Sequence, residues 1–342
     1  MQQNTRLVTG ALVAAVTVAA VLGPQRTPQG SVQISKPIVQ AQMLPGGVTT
    51  GVYAPDGVGN GYQDYKLWLP DHGQPAPLLM FNLGGGWTEP SPLPENLPAS
   101  FEPWVEAGFA FALCRYTWTD DQFLLNGEFP AAEQDAQRAI QHFRHNASRL
   151  RLNPDAICAM GRSAGAHNML WAMLRQDAAD SRLEGQGSAS SKPDVVLLRA
   201  LALVHLPASL QHQFSTGVKH YVPTGKLKDL GIGAQLNASA TTWLDEAAPG
   251  TIEDIPVCLT SGSQKLIYGT DFPYPSNAIG FNHDPWNGAV LWARLQERGG
   301  VHLTHSRYVS LYDTPLTEQE LTKQQIRWTR AMLDHLGQPL PN

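Results

Sequence analysis

The segment Gly161-Arg162-Ser163-Ala164-Gly165 constrains this chain more than any other. An apolar run, Ala156-Ile157-Cys158-Ala159-Met160, leads into it, and a helix-like stretch, Ala166 to Leu174, follows. That order reads as strand, tight turn, helix. A serine at such a turn is lifted above the sheet edge, where a base can reach it. The flanking glycines let the turn pack against neighbouring backbone, and the Ala164 amide points toward a developing oxyanion. The segment therefore proposes both a fold and a reaction class.

The rest of the chain alternates in the same sense. Tyr62 to Leu69, Leu78 to Phe81, Gly108 to Cys114, Val195 to Val204, Ile255 to Thr260 and Val301 to Val309 read as strands. Phe101 to Ala107, Ala131 to Leu150, Ala289 to Arg298 and Thr317 to Leu336 read as helices, the last opened by the capping box Thr317-Glu318-Gln319-Glu320. The strands lack a polar face, so the expected fold class is α/β: a mostly parallel central sheet with helices on both faces. Ligands in such sheets sit beyond the carboxyl ends of the strands, where Ser163 falls.

Composition agrees. The 342 residues are 42% hydrophobic and 15% charged, which argues against disorder over most of the length. The net charge of -5 and the absence of a basic block argue against a nucleic-acid partner. Cys114, Cys158 and Cys258 each lie in an apolar strand-like run and are expected as buried free thiols; no Cys/His spacing suggests a zinc site.

Three regions are expected along the chain. Arg6 followed by the small, apolar run Leu7 to Leu22 reads as a signal peptide over residues 1–23, which places the mature protein outside the cytoplasm, secreted or periplasmic. The alternative is an uncleaved anchor helix, and a membrane partner enters only in that case. Residues 24–50 carry Pro, Gln, Gly and Ser without periodicity and read as a linker. Residues 51–342 read as a single domain, with 206–254 a lid or insertion.

A second segment carries chemistry. Asn82-Leu83-Gly84-Gly85-Gly86-Trp87 directly follows the strand Leu78 to Phe81. A glycine run there exposes backbone N–H groups that can accept negative charge on a carbonyl oxygen. No Gly-x-Gly-x-x-Gly or Gly-Lys-Ser/Thr signature supports a nucleotide-phosphate reading.

With these blocks in view, the chain resembles the α/β-hydrolase superfamily, in its carboxylesterase and lipase group with an HGGG-type oxyanion loop, near the feruloyl-esterase-like and hormone-sensitive-lipase-like branches. Gly84-Gly85-Gly86-Trp87 resembles the oxyanion loop. Phe129 to Asp135, running on through Asn153 to Ile157, resembles the segment that leads to the elbow. Gly161 to His167 resembles the elbow and its helix. The resemblance covers residues 50–336. It implies a serine acyl-enzyme, a small-molecule ester substrate and no metal or organic cofactor. It implies Ser163 as nucleophile and Gly85, Gly86 and Ala164 as oxyanion donors. Two positions depart from the pattern: Leu83 stands where the family has histidine, and Ala166 where it often has glycine.

The acid and base follow the order Ser, Asp or Glu, His. By the resemblance, Asp284 before the helix Ala289 to Arg298 is the expected acid, with Asp271 the alternative. The base is expected at His305, with His302, His283 and His205 as alternatives. Trp87, Trp118 and Trp286 are candidates for an apolar acyl or aryl pocket, and equally for core packing. Asp120-Asp121 reads as exposed loop charge. The function expected is hydrolysis of carboxylic esters. Its alternatives are a catalytically degenerate member of the fold that binds a ligand, and action on an amide or lactone through the same serine.

Overall fold

The computed structural model describes residues 42–44, 47–54, 63–85, 92–117, 131–175, 190–199, 244, 247, 255–260, 285–298, 306–309 and 316–341. All of them belong to the unit Lys36–Asn342. In chain order the elements are β1 (Gln42–Leu44), β2 (Val48–Val52), β3 (Asp64–Trp68), β4 (Ala76–Asn82), α1 (Glu102–Glu106), β5 (Ala110–Cys114), α2 (Ala131–His145), α3 (Ala147–Leu150) and β6 (Leu152–Arg162). They continue with α4 (Ala164–Leu174), β7 (Val195–Arg199), β8 (Val257–Thr260), α5 (Pro285–Arg298), β9 (Arg307–Val309) and α6 (Glu318–His335).

The strands of the described residues form one sheet in the order β1-β2-β3-β5-β4-β6-β7-β8-β9. The first three pair antiparallel, as does β3 with β5; from β5 onward every pair is parallel. The α/β architecture expected from the sequence is the one observed. β1 and the start of β2 fall inside 24–50, so the sheet begins within the stretch whose composition reads as a linker.

Successive residues on a strand point to opposite faces, and here both faces are covered. On one face Leu78, Met80, Ala110, Ala112, Ile157, Ala159, Val196 and Leu198 pack with side chains of α2, α3, α4 and α5. On the other, Leu79, Phe81, Phe111, Leu113, Cys158, Met160 and Leu197 pack with Trp104 of α1 and Ile326, Met332 and Leu333 of α6. All seven residues of β4 are buried, as a central strand between two helical layers requires. Phe101 stacks on Phe111 at 4.2 Å between ring centroids and lies 4.8 Å from Phe81, which fixes the loop before α1 against the sheet.

α5 begins at Pro285 rather than Ala289 and β4 at Ala76 rather than Leu78, and two further differences from the sequence reading have local reasons. Residues 131–150 break into α2 and α3 around Asn146, and Arg151 closes α3 in the left-handed region at φ 56°. Hydrophobic periodicity continues across such a break and does not register it. β6 starts at Leu152 rather than Ala156, because Leu152 pairs with Ala76 before a register shift that carries the next pairing to Leu78 and Ile157. That shift accommodates Asn153-Pro154-Asp155, where the Asn153 side chain accepts the Asp155 amide at 3.0 Å. The three cysteines are free and buried, and burial pushes their thiols up, Cys258 to about 11.

Candidate active site

The elbow is built by backbone contact. Ser163 sits between β6 and α4 at φ 55° and ψ -121°, a conformation that side-chain-bearing residues seldom adopt. Its amide donates to the Arg199 carbonyl at 3.1 Å, one residue beyond the last β6–β7 pair. Its own carbonyl accepts the His167 amide at 3.2 Å, which starts α4. The Ser163 hydroxyl does not cap the helix.

The two flanking glycines are needed for contact rather than for dihedral freedom. A Cβ on Gly161 would lie 2.2 Å from the Gly165 carbonyl oxygen, and one on Gly165 would lie 2.2 Å from that of Asn82. The first turn of α4 therefore rests directly on the end of β4. Asn82 pairs with Gly161 in the sheet, so the glycine run after β4 emerges beside the elbow.

The loop and the serine meet. A Cβ on Gly84 would stand 3.1 Å from both the Arg162 carbonyl oxygen and the Ser163 Cβ, and 3.7 Å from the Ser163 Oγ. The amide of Ala164, fully buried, opens α4. Gly84 and the Ser163–Ala164 elbow thus meet at the carboxyl edge of the sheet, which is the edge where a parallel sheet offers its ligand site.

Buried polar groups brace this edge. Asp135 of α2 accepts the Thr117 amide at 2.8 Å, the Gln63 side chain at 3.4 Å and the Arg138 guanidinium at 2.9 Å. Burial raises the Asp135 carboxyl above its ordinary value, and these donors oppose the rise. Glu133 and His167, both buried, face each other with Oε1 3.2 Å from Nδ1, tying α2 to α4 one turn below the elbow. Arg199, at the end of β7, donates to Gln325 at 2.9 Å and pairs with Glu318, both on α6. Burial lowers the Arg199 guanidinium from its ordinary value, against the pull of Glu318.

Of the residues singled out in the sequence, the structure sets Gly84 against Ser163; Gly85 and Ala164 are described as their next neighbours in the chain. Gly86, Asp284, His305 and the alternatives Asp271, His302, His283 and His205 lie outside the described residues, as do Trp87, Trp118 and Asp120-Asp121. Of the expected lid or insertion at 206–254 only Leu244 and Ala247 are described, and the backbone of α5 includes Trp286. Asp135, Glu133, His167 and Arg199 carry no role in the sequence reading. The first three stand inside the quoted motif segments, but nothing in a single sequence tells a buried brace from a surface charge.

Strand order, parallel core and elbow together define an α/β-hydrolase fold. Residues 66–204 match the family model described as BD-FAE, a span that takes in β4, β5, β6, β7 and the elbow. No curated protein matches the chain in sequence. Among solved structures the chain is similar to the native form of Est2, an esterase from the Planctomycetes species Thermogutta terrifontis. Identity is 16%, the match covers 87% of this chain and 95% of that one, and the TM-score is 0.57. It is also similar to an acetyl ester-xyloside bifunctional hydrolase from Caldicellulosiruptor lactoaceticus, at 17% identity over 81% of this chain and 89% of that one, TM-score 0.54. A truncated carbohydrate esterase from gut microbiota aligns at 13% identity over 82% and 94% of the two chains, TM-score 0.57.

Proposed function

We propose that the protein hydrolyses carboxylic esters of small molecules through an acyl-enzyme on Ser163. One observation carries this reading: a non-glycine residue is held at φ 55° on a strand–helix turn, with a glycine backbone against its hydroxyl-bearing side. Strain of that kind persists only where the surroundings enforce it, and here the two backbone hydrogen bonds of Ser163 and the close backbone packing at Gly161 and Gly165 do so. The esterases among the structurally similar proteins support the same reaction, and one of them, Est2, is described in a form phosphonylated by sarin.

In the proposed reaction Ser163 Oγ attacks the ester carbonyl, and the bond to the leaving alcohol breaks as that alcohol takes a proton. Amides of Gly85, Gly86 and Ala164 stabilise the oxyanion. Water then releases the acid and restores the serine. Asp284 and His305 are proposed as the acid and base that move the protons, with Asp271, His302, His283 and His205 as the alternatives. β9 runs parallel to β8 and carries Val309 toward the Ser163 edge, while position 305 precedes that strand. His302, His283 and His205 are therefore each replaced alongside His305.

A fluorophosphonate probe tests the reading. Wild type should be labelled and Ser163→Ala should not; individual His→Ala variants then identify the base as the one whose loss abolishes labelling. An unlabelled wild type, or equal labelling of wild type and Ser163→Ala, would leave the fold as a binding scaffold instead. Export is part of the same proposal, resting on residues 1–23. An intact Met1 on the exported protein would refute the cleaved leader.

A further inference from the structure

A run of three glycines is a poor support for an oxyanion hole unless something holds it. Glycine surrenders more conformational freedom on ordering than any other residue. Leu83, which stands directly before the run, has an apolar side chain that packs against the core face shared with Phe81 and Phe101. Its side chain cannot aim the following amides by hydrogen bonding. Its carbonyl is another matter.

The Tyr116 hydroxyl donates to the Leu83 carbonyl at 2.9 Å. The same oxygen lies 2.6 Å from where a Cβ on Gly165 would stand, so it is wedged between the first turn of α4 and the phenol. Moving it moves the start of the glycine run relative to Ser163. Tyr116 packs in one small apolar cluster with Ala164, whose amide belongs to the elbow, and Ala132 of α2.

Tyr116 is itself held on both sides. The Arg115 amide donates to the Asp64 carbonyl at 3.0 Å, and its guanidinium pairs with the Asp64 carboxylate. The Arg115 carbonyl accepts the Tyr53 hydroxyl. Thr117 gives its amide to the buried carboxylate of Asp135 at 2.8 Å. Burial, with the nearby Glu133 charge adding to it, keeps the phenol protonated and therefore a donor. Farther along the loop, Lys66 donates to the carbonyls of Pro94, at 2.9 Å, and Glu95. The segment that contains the glycine run is thus fixed before it by Tyr116 and after it by Lys66.

We infer that Tyr116 is a positioning residue for the reaction of Ser163: its hydroxyl, through the Leu83 carbonyl, sets the glycine run against the elbow. This rests on the proposed acyl transfer. It adds a residue outside both motifs, acting on the oxyanion donors without touching the substrate.

The test is Tyr116→Phe, which removes one oxygen and keeps the ring. Fluorophosphonate labelling of Ser163 and ester kcat should both slow by about 10- to 100-fold, the scale of a misplaced oxyanion donor. KM should change by less than about twofold. Amide hydrogen exchange should accelerate at Leu83–Gly85 while β6 and α2 keep their protection. Unchanged labelling of the variant beside a labelled wild type overturns the inference alone. Faster exchange spread across β6 and α2 also overturns it, since Tyr116 would then serve the fold generally. An unlabelled wild type overturns the hydrolase reading first, and this inference with it.

Discussion

The amide of Ser163 donates to the carbonyl of Arg199 at 3.1 Å, extending the β6–β7 ladder one residue past its last strand pair. The bond holds the chain in sheet geometry up to the residue that leaves it. The next donor, the His167 amide, already belongs to a helix. Arg199 in turn is fixed to α6, through Gln325 and Glu318, and Gln325 reaches Thr260 at the end of β8 at 3.3 Å. The elbow is therefore braced by strand ends on one side and by α6 on the other.

Replacing Arg199 should show how much of that brace is side chain. Arg199→Met keeps the length but leaves the buried Gln325 and Thr322 without their cationic donor. Hydrogen bonds to charged groups contribute roughly 1.5–3 kcal/mol, and stranded buried acceptors add to the loss, so a destabilisation of about 2–4 kcal/mol is expected. Glu318 is mostly exposed and contributes little to this figure. A urea midpoint equal to wild type would show that the backbone bond stands without the guanidinium.

Gly161→Ala and Gly165→Ala should each cost at least about 3 kcal/mol, at the upper end of overpacking, because the obstructing atoms are main chain and cannot rotate away. Denaturant unfolding measures it. A cost below about 1 kcal/mol would mean that α4 can lift off β4, and the close backbone packing of the elbow would lose its basis.

These glycines explain what was legible in the sequence. Their spacing around a serine, after an apolar run, encodes a contact between backbone segments that no larger residue permits. The central strands were legible for a related reason: a strand covered on both faces has no polar residue to interrupt its run, as β4 shows. The break at Asn146 was illegible, since both helices bury the same face. Tyr116 was illegible too. A lone aromatic residue after β5 looks like any strand-end side chain until β4 is known to lie alongside. The proposed acid and base are far apart in the chain from Ser163, and histidines without a spacing rule cannot be ranked by pattern.

Gly84→Ala should separate activity from stability. Its Cβ would press on the Arg162 carbonyl and the Ser163 Cβ at 3.1 Å, a contact that a shift of a few tenths of an ångström relieves. That shift carries the glycine run away from the serine. We expect kcat/KM to fall about 10- to 100-fold, the scale of a misplaced catalytic group. The thermal midpoint should move by no more than about 4 °C, the scale of a sub-kcal/mol change. Full activity in this variant would show that the loop does not act at Ser163.

His142 gives the fold an acid limit. Burial, then the Arg149 and His145 charges, hold its imidazole at about 3, against an ordinary 6.5. Its Nε2 lies 3.3 Å from the Tyr65 hydroxyl. The folded value is the lower one, so the unfolded chain takes up the proton first. Stability is then complete above about pH 6.5 and is lost as the pH falls toward 3. The loss should approach 2 kcal/mol by about pH 5, at roughly 1.4 kcal/mol per unit. Urea midpoints at pH 7 and pH 5, compared between wild type and His142→Gln, isolate it. Parallel declines in the two proteins would place the acid sensitivity elsewhere.

A residue with a Cβ at φ 55° and ψ -121° costs of order 1–3 kcal/mol, while glycine adopts that conformation freely. Glycine also loses more backbone entropy on folding, which offsets roughly 1 kcal/mol of the relief. Relief should still win, so Ser163→Gly is expected to be more stable than both wild type and Ser163→Ala, by about 1 kcal/mol. Ser163→Ala should match wild type, because it keeps the strained Cβ. Both variants should lose fluorophosphonate labelling. At an ordinary helix start the order of glycine and alanine would reflect capping alone, and the serine would be the better residue. A Ser163→Gly protein less stable than Ser163→Ala would mean that the elbow is unstrained, and the conformational argument for its chemistry would fall.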